Sequence, residues 1–371
     1  MRPAGSRRVE HYLGGRDVKV HRVTLIPGDG IGPEITEATR RMIEASGVDI
    51  EWEVVECGEG VKEREGTVCP DYVLDSVKRT GVALKGPMIV PKGGEYVVTH
   101  WTLTGRSSTP RVYPSVNNAI RRALECGICL RLADSLPGVS SRYSNIHIAI
   151  VRELDEDVYV ASEYAVGGEY AVALKVITRN ASENAARFAF EFARENRRRK
   201  VTAVHKANIL KQTDGLFLET CRRVAAEYPD IELDDKMVDA AVADLVTKPE
   251  AYDVLVMPNQ YGDIVSDLCA ALVGGLGLSP GVNVGKHAAI YEATHGAAPD
   301  IAGKGVANPT ALMLSGVMML RRLGEQRAAD ICERAIHEVL AEGKHITRDL
   351  GGNASTAEYT DAVVARIAKL R

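Results

Sequence analysis

Apolar and polar positions alternate along this chain in two different periods. The segment VHRVTLIPGDGIGPEITEATRRMIEA opens with a short run of apolar β-formers, breaks at a Gly/Pro turn and resumes with apolar positions at helical spacing. That order predicts strand, turn and helix. The alternation recurs through VDIEWEVVECG, PDYVLDSVKRTG and GVALKGP, and later in IHIAIVRE, KVTAVHKA and YDVLVMPN, each followed by a polar turn or helix. Such a pattern predicts an α/β architecture whose sheets are covered by helices. From NPTALMLSGVMMLRRL onward the chain reads as strongly helical. Two stretches depart from the alternation. EYVVTHWTLTGRSSTPRVYP is rich in β-formers and turn residues and reads as a hairpin or flexible loop. VYVASEYAVGGEYAVALKVITR alternates around Gly167 and Gly168 and reads as a hairpin with open edges that a copy from another subunit would bury.

Composition narrows the class. At 371 residues the chain exceeds the size, about 250–300 residues, at which a single core stops growing, so two lobes are expected. Hydrophobic residues make up 45% and mean hydropathy is −0.10, with no apolar run of about eighteen residues, which argues against a membrane span. A net charge of −4 argues against nucleic acid as the main partner. Any anionic substrate must then meet a local basic cluster. Seven scattered cysteines do not form a disulfide framework, and Cys126-x-x-Cys129 has no second pair at zinc spacing, so a reducing cytoplasm is expected. The first twenty residues are Arg-rich, lack the apolar stretch of a secretory signal, and read as a loose extension.

Candidate chemistry begins with Asp263 and Asp267 in NQYGDIVSD. Residues at i and i+4 share a helix face, so two hard carboxylates there suit Mg²⁺ or Mn²⁺, with Asp239 upstream on another acidic segment. An isolated D-x-x-x-D is more often a solvated acidic face. Arg121, Arg131 and Arg152 recur in a narrow window, and converging guanidinium forks would hold a polycarboxylate. Lys206 ends the apolar strand of AVHKANI, where a partly desolvated lysine near other cations would act as a base. Gly28, Gly30 and Gly32 lack the G-x-G-x-x-G order, so a Rossmann site is poorly supported. The later glycine-rich run from LVGGLGLSPG to GKGVANP offers backbone amides suited to a pyrophosphate, although such runs are often only turn material.

Taken together, IPGDGIGPEI, AVHKANILKQTDGLF, MPNQYGDIVSD, EATHGAAPDIAGKGVANPTALMLS and ITRDLGGNASTAEYTDAV span nearly the whole chain, which resembles the isocitrate and 3-isopropylmalate dehydrogenase family of β-decarboxylating dehydrogenases. The resemblance implies a two-lobed, non-Rossmann α/β fold, with 1–122 and 277–371 in a large domain, 123–156 and 180–276 in a small one, and 157–179 as a dimer clasp hairpin. It further implies a homodimer with shared active sites, acting on a small hydroxy polycarboxylate. Asp263 and Asp267, with Asp239 from the neighbouring subunit, would bind Mg²⁺ or Mn²⁺. Arg121, Arg131 and Arg152 would hold substrate carboxylates, Lys206 from the neighbour would be the base, supported by Asn208, and Tyr159 would reprotonate the product. Ser115 and Asn117 resemble the polar pair that isocitrate dehydrogenases set against a third carboxylate, where isopropylmalate enzymes are apolar. Asp300 and Ile301 match the pair found beside the adenosine ribose in NAD-using members, His295, Gly296 and Asn308 match adenosine-binding positions, and Glu292 a nicotinamide-facing one.

Some positions depart from that pattern. Ile89 and Val90 stand where polar residues usually touch the cofactor, and the segment 95–114 is longer than usual. Leu154 replaces an asparagine, and Asp134 stands where a second arginine is frequent. A carboxylate beside an anion site would weaken binding unless it points away. Homoisocitrate, 3-isopropylmalate or tartrate are alternative substrates, and a non-catalytic regulatory role is an alternative to catalysis.

Overall fold

Short apolar runs bounded by Gly, Pro and polar turns become strands, and the longer amphipathic runs between them become helices that cover the sheet. The computed structural model describes residues 20–90, 97–102 and 105–371. The N-terminal extension, apart from Val20, and positions 91–96, 103 and 104 around and within the long loop lie outside the described residues. In chain order the strands are β1 (His21–Ile26), β2 (Ile50–Val54), β3 (Val82–Lys85), β4 (Val97–Thr102), β5 (Gly105–Tyr113), β6 (Cys126–Asp134) and β7 (His147–Glu153). They continue with β8 (Glu163–Val166), β9 (Tyr170–Ala173), β10 (Lys200–His205), β11 (Glu232–Met237), β12 (Val254–Met257), β13 (Pro280–Gly285) and β14 (Ala289–Ala293).

Ten of these form one sheet in the order β11-β10-β12-β7-β6-β13-β14-β3-β1-β2. Each end is a parallel block, β11 to β7 on one side and β14 to β2 on the other. Between them, β6 and β13 run antiparallel to both of their neighbours, so the two blocks point in opposite directions. This is an α/β sheet without Rossmann strand order. The helix Thr310–Leu323 packs on β13 and β14, and helix Arg179–Glu195 on β7 and β12. The helical last third is completed by Gln326–Glu342 and Thr356–Leu370, the latter opened by a capping box between Ser355 and Glu358.

Both expected hairpins are found outside this sheet. In the extended loop, β4 and β5 pair antiparallel, with an irregularity between Thr99 and Trp101. β8 and β9 pair around Gly167 and Gly168, both left-handed, and their apolar side chains Tyr164, Val166, Tyr170 and Val172 are exposed.

The first glycine turn is a packing device. Gly30 has φ +59°, and a Cβ there would fall on the carbonyl oxygen of Ala297. The next residue, Ile31, donates its N–H to that same oxygen at 2.9 Å. Only a residue without a side chain fits both the dihedral and the close approach. Gly30→Ala is expected to cost on the order of 2–4 kcal/mol of stability. Urea denaturation checks this, and an unchanged midpoint would contradict the packing account.

Candidate active site

Charged residues gather on one face of the sheet because of strand register. Directly paired residues on neighbouring strands point to the same side. Lys85 of β3 pairs with Glu292 of β14, Glu292 with Gly281 of β13, and Gly281 with Arg131 of β6. Arg152 of β7 pairs with Cys129, two residues from Arg131 and on the same face. Apolar residues of the same parity, Ala83, Ile290, Ala133 and Ile150, are buried on that face. The row of charges therefore continues an apolar surface.

Each buried charge in the row has a partner, as burial demands. Glu292 accepts from Lys85 (2.6 Å), Arg121 (3.0 Å) and Asn283 (2.5 Å). Although burial opposes its charge, Lys85 and Arg121 hold its carboxyl well below the ordinary range. Arg152, only 1% exposed, donates through Nε to Asn259 Oδ1 at 2.8 Å and through Nη1 to Asp263 Oδ1. Arg131 donates to Ser266 Oγ at 2.5 Å and to Asp267 Oδ1 at 3.1 Å, and lies 3.6 Å from Asp263. Those last three acceptors come from helix Asn259–Leu272, which approaches β7 closely at Gly262. A Cβ there would lie 2.5 Å from Arg152 Cγ.

Tyr159 sits on a one-turn helix after Asp157 and donates its hydroxyl to Asp263 Oδ2 at 2.5 Å, with the Arg152 guanidinium 5.0 Å from its ring centre. Burial and the hydrogen bond to Asp263 push its phenol up to about 12, so it carries its proton at neutral pH. Burial works against the charge of Asp263, yet Arg152, Tyr159 and Arg131 keep its carboxyl below the ordinary value. Burial raises the carboxyl of Asp267, with Asp263 adding to the rise and Arg131 opposing it.

A cavity of about 530 Å³ opens over this row. Ser115, Asn117, Arg121, Arg131, Arg152, Tyr159, Asp263, Glu292, His295 and Gly296 line it, so ten of the positions singled out in the sequence converge. Ser115 is the N-cap of helix Val116–Ala123, its Oγ accepting from Asn118 N at 3.1 Å. Its hydroxyl proton remains available to a carboxylate. Among the described residues, the buried atoms Asn117 Oδ1, Arg121 Nε and His295 Nε2 have no partner. Unpaired polar atoms in a buried cavity mark where a polar ligand would bond. Arg121 Nε can donate to a substrate carboxylate, Asn117 Oδ1 can accept from a ligand hydroxyl, and His295 Nε2 can meet a donor of a dinucleotide. Burial lowers the His295 imidazole, leaving it neutral and able to accept.

Other expected residues lie elsewhere. Lys206 and Asp239 do not line the cavity, and the ammonium of Lys206 is bonded to the Asp239 carboxylate. Asn208 is exposed on the same turn. Asp300 is exposed and Ile301 half-buried, both outside the cavity lining. The Asn308 side chain is taken up by Asp349 (2.9 Å) and by the start of helix Thr310–Leu323, where Thr310 N donates to it at 3.0 Å. No group of three His, Cys, Asp or Glu suited to a metal occurs among the described residues. Asp263 and Asp267 supply two carboxylates beside the cavity, a number that suits Mg²⁺ or Mn²⁺ coordinated in part by water and substrate.

Lys85, Asn259, Ser266 and Asn283 join the site without having stood out in the sequence. Lys85 carries the same signal as Lys206, a lysine closing an apolar strand before a turn. The departures resolve in different ways. Asp134 points away from Arg131, three residues on in the strand, and pairs with His147 at 3.0 Å. Leu154 is buried in an apolar cluster, Ile89 donates its N–H to Asp29 at 2.9 Å, and Val90 lines the cavity.

Known proteins share both the sequence and the fold. The isocitrate/isopropylmalate dehydrogenase family model matches residues 22–363. The chain is 45% identical to a protein of Dictyostelium discoideum named as a mitochondrial regulatory component of NAD isocitrate dehydrogenase, covering 94% of this chain and 92% of the relative. It is 45% identical to NAD isocitrate dehydrogenase catalytic subunit 5, mitochondrial, of Arabidopsis thaliana, covering 92% and 87%. The crystal structure of isocitrate dehydrogenase from Methylococcus capsulatus is similar with a TM-score of 0.87 at 45% identity, covering 94% of this chain and 99% of that one. The mitochondrial names overturn the expected cytoplasmic location. Seven free, buried thiols fit any reducing compartment, so the cysteines carry no information on which one.

The packing of this site can be tested at two positions. Gly262→Ala is expected to push Arg152 from Asn259 and Asp263 and to lower stability by about 1–3 kcal/mol, read as a lower thermal midpoint; retention of the wild-type midpoint would contradict it. Glu153, next in β7 and 2% exposed, is raised by burial from 4.5 to about 8. An acid whose folded value exceeds its unfolded one lends stability that is full below about 4.5 and lost as pH rises through about 8. Glu153→Gln should flatten that decline in denaturation curves taken between those limits; an unchanged slope would show that the group does not carry it.

Proposed function

The chain belongs to the isocitrate/isopropylmalate dehydrogenase family, and from that membership we propose that it is a catalytic, NAD-dependent isocitrate dehydrogenase, converting isocitrate to 2-oxoglutarate and CO₂. The observation that carries this reading is the convergence of Arg121, Arg131 and Arg152 with Tyr159 and Asp263 on one cavity. The three guanidiniums hold and orient substrate carboxylates by bidentate hydrogen bonds. Ser115 through its hydroxyl and Asn117 through its Nδ2 would donate to the third carboxylate; an isopropyl group there would offer these donors no acceptor. Tyr159, protonated at neutral pH, delivers a proton to C3 after CO₂ leaves.

Lys206 takes the proton of the C2 hydroxyl in the site of a second copy, with Asn208 supporting it. The pairing of Lys206 with Asp239 outside the cavity favours this sharing, because both would arrive together from one chain. Asp263, Asp267 and the second copy's Asp239 would hold Mg²⁺ or Mn²⁺, while His295, Gly296, Asn308, Asp300 and Ile301 would seat NAD. When bound, the cation would supply Lewis acidity toward the substrate's hydroxyl and carboxylate oxygens, and NAD would supply a hydride acceptor. Asp300 would accept from ribose hydroxyls and repel a 2′-phosphate. The exposed apolar residues of β8 and β9 support the dimer clasp, and the lobe boundaries 1–122 with 277–371 and 123–156 with 180–276 belong to the same proposal.

A regulatory, non-catalytic role is the second reading, favoured by the name of the Dictyostelium discoideum relative. Retention of Tyr159, Lys206 and all of Asp239, Asp263 and Asp267 argues for catalysis. The purified chain assayed alone with Mn²⁺ should oxidise isocitrate with NAD faster than homoisocitrate, 3-isopropylmalate or tartrate, and faster than with NADP. Turnover only after adding a homologous chain would support the regulatory reading. Lys206→Met and Asp263→Asn should each lower kcat by about 10²–10⁴-fold while leaving assembly intact. A near-normal rate in either variant would refute the role assigned to it.

A further inference from the structure

A buried cation that the reaction above does not use lies between the cavity and the Lys206 turn. Lys175 follows the β8-β9 hairpin, and its side chain is 14% exposed. Its Nζ stands 2.9 Å from Asp214 Oδ1, 3.3 Å from Asp157 Oδ1 and 4.3 Å from the ring centre of Tyr261. Both aspartates are fully buried. Two such carboxylates without a cation would be strongly unfavourable.

Each aspartate also binds backbone that carries a reacting group. Asp157 Oδ2 accepts from Gln260 N at 2.9 Å, at the start of helix Asn259–Leu272, whose own N-cap residue Pro258 offers no side-chain acceptor. Asp263 lies one turn further on. Asp157 Oδ1 accepts from Val158 N at 2.8 Å, immediately before Tyr159, and the Asp157 backbone is held at φ +68° by pairing with Val176, the residue after Lys175. Asp214 Oδ2 accepts from Lys206 N at 2.7 Å. One ammonium thus joins the Tyr159 turn, the helix bearing Asp263 and the Lys206 turn.

We infer that Lys175 is a positioning residue for the reaction, setting Tyr159 and Asp263 in one site and Lys206, directed to the other, through the Asp157 and Asp214 carboxylates it bridges. This rests on the isocitrate dehydrogenase reading. The substrate's carboxylates are held by arginines outside this bridge, so loss of Lys175 disturbs turnover more than binding. In Lys175→Met, kcat should fall about 10- to 100-fold with KM for isocitrate within about threefold, because sub-ångström misplacement acts on the chemical step. Lys175→Arg should recover most of the loss. Hydrogen exchange by mass spectrometry should speed up together at amides 157–160, 206–210 and 259–263.

Should Lys175→Met fail to fold, Lys175→Met combined with Asp214→Asn removes one carboxylate with the cation; it is expected to fold and to retain the kcat defect. A kcat within twofold of wild type in the folded variant, a rise in KM that accounts for the whole loss, or exchange unchanged in any of the three segments overturns the inference. If the wild-type protein does not turn over isocitrate, the functional reading fails instead, and the exchange measurement still decides whether Lys175 holds the three segments.

Discussion

Guanidinium groups buried on one face of the sheet set the terms for everything around them. Arg152 is almost inaccessible and Arg131 nearly so, and neither can be left without acceptors in a low-dielectric environment. Helix Asn259–Leu272 answers this need with Asn259, Asp263, Ser266 and Asp267 along one side, and Gly262 allows the approach. On the other side of the row, Glu292 neutralises Lys85 and Arg121. Four cations thus face three carboxylates, and the row keeps an excess of positive charge for an anionic ligand. A polycarboxylate entering the cavity would compete with Asp263 for the arginines.

How far this is legible in the sequence varies by residue. The strand, turn and helix from His21 to Ala45 follow directly from periodicity, as do the β8-β9 hairpin and the helical last third. The arginines and Asp263 are legible as types, but their convergence depends on register across β3, β14, β13, β6 and β7, which no local pattern reveals. Lys85 escapes notice for that reason; only its pairing with Glu292 shows its use. Gly30 and Gly262 carry positive φ or close contact, information that appears only once distant segments are packed. Asp134 looks threatening in sequence until strand parity between positions 131 and 134 is taken into account.

Some of the residues singled out in the sequence lie apart from the cavity. Lys206, Asn208 and Asp239 stand outside the cavity that the arginines line, and the hairpin strands leave apolar side chains in water. These features have the same sense. Surface that is costly to expose and polar groups that face no ligand both become useful against a second chain.

Because strand pairing has a period of two, sliding β13 by one residue against β6 would turn Asn283 into the helix layer and bring Val282 to the polar side. The irregularity between Val284 and Gly285 lies beyond that row, so the ladder absorbs its mismatch at the far end of the strand. A misthreaded sheet would strand several ions in hydrocarbon at once. Correct alignment of the backbone and assembly of the polar cleft are thus one event, and the same charges that meet a ligand reject competing threadings while the chain folds.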